Sequence, residues 1–216
     1  MGHQHSHEHD VGNIKVAFFL NLTFTVIELI GGLYVNSMAI LSDAVHDLGD
    51  SLSLGLSWYF QKLSKKGRDK TFSYGYKRFS VLGAIINSIV LVVGSLLIIR
   101  ETLPRLWNPV QPDAQGMLIL SILGIIVNGA AVFKLKKGTS LNEKVVSLHL
   151  LEDVLGWAAV LVASVVMMFY SVPILDPLLS LLISGFILYN VFKNLKASFK
   201  IVLQAVHLVT PAIPEI

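Results

Sequence analysis

The chain has 216 residues, 54% of them hydrophobic and 14% charged, with a net charge of +3 and no cysteine. A soluble domain carries about 25% charged residues, so this composition argues against one and makes the bilayer the expected solvent. The missing thiols leave nitrogen and oxygen as the only ligands for a metal, and the small positive charge reads as membrane orientation and contact with anionic lipid rather than nucleic-acid binding.

At the start, Met1 to Asp10 places His3, His5, His7 and His9 at alternate positions. This stretch reads as a disordered tail able to collect metal loosely, with a solubilising tail or cloning remnant as the plainer reading. A membrane span needs about 20 mainly apolar residues. Six segments meet or approach that: Val16 to Val35, Met38 to Phe60, Phe79 to Ile99, Met117 to Phe133, Val145 to Tyr170 and Ile174 to Phe192. Runs this continuous are helices, since barrel strands alternate polar and apolar at period two over about 10 residues. The expected fold is therefore an all-α integral membrane protein of six transmembrane helices. No cleavable leader is expected, so the first helix is retained. The divisions are a His-rich tail over 1–14, a transport domain over 15–200 and a short tail over 201–216.

Between the spans, Asn36 and Ser37 make a tight turn, and Ser64 to Tyr76 forms a longer basic loop. Pro104 to Pro112, with Asn108-Pro109 inside it, is predicted to break helix on both flanks. Lys136 to Asn142 contains Gly138 as a stop, and Ser140 with Glu143 reads as a capping box for the fifth helix. Pro173 and Pro177 bracket the start of the sixth. Lys and Arg accumulate in cytoplasmic loops. Fifteen of the seventeen fall on the side of the termini and of the 64–76 and 136–142 loops, leaving Arg100 and Arg105 opposite. Both termini are thus expected in the cytoplasm.

Charged groups inside a span cost about 2.5 kcal/mol or more, so those present argue for function. On the second helix Asp43, His46, Asp47 and Asp50 share an arc of about 100°. His46 and Asp50, four apart, stack on adjacent turns. The fifth helix repeats the step with His149 and Asp153, and Glu152 borders the same face. One such pair reads equally well as hydrogen-bonded packing. Two pairs at matching spacing on two lipid-embedded helices would be an expensive way to build packing alone. Facing each other, they offer two imidazoles and two carboxylates with tetrahedral potential, which suits zinc best. Calcium and magnesium want more oxygens and copper(I) wants sulfur; cadmium, cobalt, iron(II) and manganese stay open on ligand type. Asp43, Asp47 and Glu152 read as access-path, supporting or interface residues. Asn21 and Glu28 share a face of the first helix; Asn21, Asn87 and Asn128 are expected to bond between helices, while Glu28 could relay protons.

The run Ser42-Asp43-Ala44-Val45-His46-Asp47-Leu48-Gly49-Asp50 resembles the second-helix signature of the cation diffusion facilitator family. Tyr74-Gly75 to Arg78, Asn87, Asn128, the His149 to Asp153 step and Asp176-Pro177 resemble further landmarks in order, covering nearly the whole chain. The resemblance implies six helices, both termini cytoplasmic, a homodimer in a cell membrane (the bacterial inner membrane), and efflux of zinc or a related ion against protons. Two His with two Asp is the version the family associates with zinc and cadmium. Phe72 and Tyr76 stand where relatives often carry loop histidines, leaving only Asp69, and Ser80 replaces the acidic residue two after Arg78. Most members continue into a cytoplasmic ferredoxin-like domain, whereas this chain stops at Ile216.

A divalent ion needs unprotonated ligands, so loading such a site expels protons, which is the linkage an antiporter uses. Alternating access then requires a rocking of helices about the site. A membrane metalloenzyme would need an open coordination position, and no His-Glu-x-x-His element is present. A metal-sensing or structural subunit would bind without flux. The sequence thus points to a transporter and assigns no catalytic residue.

Overall fold

A computed structural model describes residues 5–64, 79–135 and 141–202. Six helices make up the described residues: α1 His5–Tyr34, α2 Met38–Ser64, α3 Phe79–Trp107, α4 Ala114–Leu135, α5 Leu141–Phe169 and α6 Leu175–Val202. The α1–α2, α3–α4 and α5–α6 connections share one end of the bundle, called here the tight-turn end. The ends of α2 and α4 and the starts of α3 and α5 share the opposite end, called the basic end after the Lys and Arg of the intervening sequence; the 65–78 and 136–140 segments, with Gly138 and Ser140, lie outside the described residues.

Most helices run a few residues beyond the expected spans, α6 as far as Val202, and two boundaries contradict the expected reading. Helix α1 begins at His5, inside the segment read as a disordered tail. Extending an existing helix requires no new nucleus, so polar residues ahead of an apolar run can continue it. Helix α3 runs through Pro104 to Trp107, where a break was expected. Proline's fixed φ fits a helix, and near the end its missing N–H removes only the bond to the Arg100 carbonyl. The Asn108 amide donates to the Pro104 carbonyl at 3.0 Å and closes the last turn.

The expected turn at Asn36 is present. Asn36 adopts φ 57°, the left-handed conformation that asparagine tolerates better than most residues. The Ser37 amide donates to the Gly32 carbonyl at 3.0 Å and the Asn36 amide to Leu33 at 3.2 Å, the paired bonds of a Schellman stop. Arg105 crosses from α3 to hold Asn36, donating to its carbonyl at 3.1 Å and to Oδ1 at 2.9 Å.

Helix α2 starts immediately afterwards, and a residue of α6 caps it. Asp176 accepts from the Ser37 hydroxyl at 2.5 Å and from the Met38 and Ala39 amides at 2.8 and 3.1 Å. A buried carboxylate thereby satisfies the unpaired amides of a helix N-terminus. Deeper in, Ser42 bonds Ser180 at 2.7 Å and Ser184 at 3.2 Å, and Thr102 bonds Ser180 at 3.0 Å. Hydroxyls of α2, α3 and α6 thus meet between apolar faces, as small polar residues do at membrane helix contacts.

Helix α2 is the centre of the bundle: it packs on α1, α3 and α6 and touches α5, while α4 packs on α5. One apolar core, with Phe24, Ile40, Met117, Trp157 and Val160, joins α1, α2, α4 and α5. A second, of Leu91, Ile187 and Val191, joins α3 to α6. Outward, apolar side chains such as Ile89, Leu97, Ile126, Val162 and Phe186 are exposed, which water would not favour on this scale and lipid does. Tyr34, Trp107 and Tyr170 are exposed together at the tight-turn end, the placement of an interfacial aromatic belt. By length and composition Leu82–Trp107, Ala114–Phe133, His149–Phe169 and Leu175–Phe199 can each cross a membrane, with Phe18–Tyr34 a shorter apolar helix. Helix α2 falls outside that set because its spanning stretch carries the acidic stripe. The protein is a multi-pass membrane protein of six helices.

Close approach of α4 to α5 depends on Gly124. A Cβ there would run into the ring of Trp157, which is 1% exposed and edge-packed on Phe24 with ring centroids 6.0 Å apart. Gly124→Ala is expected to cost about 1–3 kcal/mol and to lower the melting temperature in detergent. Gly129→Ala, which meets nothing within 4 Å, is expected to leave it unchanged or higher, because alanine favours helix.

Candidate metal centre

The two four-residue steps face each other head to tail. Helices α2 and α5 run in opposite directions, so His46 lies opposite Asp153 and Asp50 opposite His149. His46 Nε2 stands 3.8 Å from Asp153 Oδ1 and 3.7 Å from Asp50 Oδ2. His149 Nε2 donates to Asp50 Oδ2 at 2.8 Å. The two imidazole rings meet edge to face with centroids 5.5 Å apart. Each layer of the cluster therefore holds one nitrogen and one carboxylate, contributed by different helices.

With metal–nitrogen distances of about 2.0–2.1 Å, tetrahedral ligands stand about 3.3 Å from one another. The two His46 separations lie within half an ångström of that spacing. The shorter His149–Asp50 distance is a direct hydrogen bond. His46, Asp50 and His149 offer ligand atoms that all lie within 4.8 Å of one another; Asp153 joins them through His46. The His46 Nδ1 is buried without a partner among the described residues, leaving Nε2 as the nitrogen that faces the cluster.

Exposure is graded along the bundle. The side chains of His149 and Asp50 are 38% and 29% exposed, His46 21% and Asp153 10%. The centre therefore opens toward the basic end. Toward the tight-turn end it is closed by Ile40, Trp157 and Met117, all 1% exposed or less.

Of the other residues singled out, Glu28, Asp43 and Asp47 are buried beside the centre, whereas Glu152 is exposed on α5 and does not join it. Asn21 bonds the Asp47 carbonyl and the Ser51 hydroxyl, both at 3.0 Å, and so ties α1 to α2 as expected. Asn87 likewise donates to Ser53 at 2.8 Å; Asn128 is buried with its amide nitrogen unpartnered among the described residues. The side chains of His3, His5, His7 and His9 lie outside the described residues, as do those of Asp69, Phe72, Tyr76 and Ser80. The cap formed by Asp176 was not anticipated. Its signal was an acidic residue placed at the start of an apolar span, next to Pro177.

A bundle of membrane-spanning helices around a partly buried pair of His–Asp steps is the arrangement of a membrane protein that could hold a metal ion. The chain belongs to the cation efflux family: residues 14–203 match the cation efflux transmembrane domain. It is 35% identical over 201 residues, 90% of the chain, to a cadmium, cobalt and zinc/H(+)-K(+) antiporter of Bacillus subtilis (strain 168), covering 65% of that protein. It is 33% identical to the metal cation efflux system protein CzcD of Cupriavidus metallidurans, over 95% of the chain and 67% of the relative. The zinc transporter ZitB of Pectobacterium atrosepticum is 31% identical, over 94% of the chain and 65% of the relative. The chain thus spans about two thirds of the length of these curated relatives.

Proposed function

We propose that this protein is a secondary transporter that exports a divalent metal ion, zinc foremost, from the cytoplasm in exchange for protons, working as a homodimer in a bacterial inner membrane. His46, Asp50, His149 and Asp153 are its cargo ligands. The observation that carries this reading is the crossed pairing of the two steps on antiparallel helices, which sets His46 Nε2 3.7 Å from Asp50 and 3.8 Å from Asp153, and His149 Nε2 2.8 Å from Asp50. The names of the relatives, which cover zinc, cadmium and cobalt, support this range of cargo. The Bacillus subtilis protein is named a cadmium, cobalt and zinc/H(+)-K(+) antiporter, which supports a proton counterflow.

With both termini in the cytoplasm, the basic end is the cytoplasmic face and the described conformation opens inward. An ion arriving there displaces the proton between His149 and Asp50, so affinity falls as pH falls: protons compete for the same lone pairs. Rocking of the helices then opens the tight-turn end, where protons on the ligands expel the ion and return in its place. In proteoliposomes, an imposed pH gradient is expected to drive zinc against its own gradient. Zinc flux that ignores the pH gradient would overturn the coupling.

Ligand type also sets selectivity. His46→Asp replaces a nitrogen by a hard oxygen, and imidazole favours zinc where carboxylate suits manganese. The expected result is about a tenfold shift of the zinc-to-manganese preference toward manganese, read from transport of the two ions in parallel. Unchanged selectivity would remove His46 from the ligand set.

A further inference from the structure

Helices α2 and α6 run parallel, and their polar groups meet in rungs. The Met38 amide donates to Asp176 and, one turn on, Ser42 bonds Ser180, both across an offset of 138 residues. The same offset carries His46 to Ser184. Ser42 and His46 are one turn apart on the face of α2 that meets α6, and a helical side chain leans over the turn before it. The imidazole thus leans over the turn of Ser42, where the Ser184 hydroxyl already stands 3.2 Å from that of Ser42. Thr102, Ser42, Ser180 and Ser184 are all 1% exposed or less, so their hydroxyls depend on protein partners.

Each hydroxyl has one proton to give, and the direction of this chain is set at its far end. Thr102 spends its proton on the Ile98 carbonyl at 2.7 Å. Its oxygen therefore accepts from Ser180 at 3.0 Å. Ser180 then accepts from Ser42 at 2.7 Å, whose proton also approaches the Ser180 carbonyl at 3.3 Å. Ser42 in turn accepts from Ser184 at 3.2 Å. Every proton points away from His46, and Ser184 ends the chain with lone pairs alone to offer. The Nδ1 of His46 is buried and has no partner among the described residues. A lone pair on Nδ1 would face lone pairs, whereas a proton there completes the chain.

We propose that Ser184 is a positioning residue of the metal centre: its hydroxyl accepts the Nδ1 proton of His46, which leaves the Nε2 lone pair for the ion. An imidazole that holds a metal almost always donates its other N–H to such a partner, which fixes the tautomer, orients the ring and raises the basicity of the ligating nitrogen. Hydrogen bonds at functional sites are often open before the ligand arrives and tighten on loading. His46 Nε2 has the same slack, standing 3.7 and 3.8 Å from its carboxylates. The effect on the ion rests on the reading of His46 as a cargo ligand; the direction of the hydroxyl chain does not.

The test joins zinc affinity, by competition with a chromophoric chelator, to the proton–nitrogen NMR resonance of His46 Nδ1 in the zinc-loaded protein. His3, His5, His7 and His9 are replaced by alanine throughout to remove loose binding. Ser184→Ala is expected to weaken zinc binding about 10–100-fold and to move the resonance upfield, with a melting curve showing the variant folded. Ser184→Thr keeps the hydroxyl and should restore both. In a His46→Ala background, adding Ser184→Ala should change affinity by less than about twofold, because the two residues act through one imidazole. Parental affinity or an unmoved resonance in folded Ser184→Ala would overturn the proposal, as would an equal loss with and without His46. Failure of the ligand reading has a different signature, since His46→Ala alone would then keep parental affinity.

Discussion

Asp50→Asn is expected to weaken zinc binding by at least about 100-fold, because even residues that only support a metal ligand cost 10–100-fold when lost. Asp50 is the hub of the cluster: one oxygen, Oδ2, stands 2.8 Å from His149 Nε2 and 3.7 Å from His46 Nε2. Asparagine has the same shape and keeps an oxygen, so packing and the hydrogen bond to His149 can survive. It removes the negative charge, and with it half of the neutralisation that two carboxylates give a divalent ion. The melting temperature without metal should therefore change little while affinity collapses. Competition with a chromophoric chelator measures this directly, and an affinity within threefold of the parent would take Asp50 out of the ligand set.

The second large effect is on stability. Asp176→Ala is expected to destabilise the fold by about 3 kcal/mol or more, since hydrogen bonds to a charged acceptor contribute about 1.5–3 kcal/mol each and an orphaned buried donor adds its own penalty. Three donors lose their acceptor at once: the Ser37 hydroxyl and the Met38 and Ala39 amides. All three lie at the start of α2, whose N-terminal partial charge favours an anion. Asp176→Asn keeps one acceptor oxygen and should lose less. Denaturant titration in mixed micelles separates the two variants, and equal stability for parent and alanine variant would show that the cap contributes nothing. Asp176 touches none of the four candidate ligands, so zinc affinity of the folded fraction is expected to persist.

The number of helices was legible because lipid forces each span into a long apolar helix, and the spans from Met38 and Phe79 begin at the residues expected. Ends were harder. Pro104 was read as a breaker, yet α3 absorbs it, since a proline near a helix end forfeits a single bond. The His-rich start was read as irregular, and α1 extends into it to His5. For the candidate centre, spacing alone put His46 with Asp50 and His149 with Asp153. It did not reveal that each histidine's partner across the cluster belongs to the other helix, because that depends on the antiparallel course of α2 and α5. Glu152 illustrates the same limit: one residue from Asp153 is 100° around a helix, enough to move it from the cluster to the exposed face. The Asp176 cap and the Ser42–Ser180–Ser184 contact join residues nearly 140 positions apart, and no local pattern encodes such a pairing.

The central claim is that these four side chains carry the ion across the membrane. The most direct test is zinc uptake into proteoliposomes by the parent and by Asp153→Ala, under the same pH gradient, with thermal melting of both proteins in parallel. The expected result is transport by the parent and none above the lipid background for Asp153→Ala, with the variant still folded. Parental flux through folded Asp153→Ala would contradict the account.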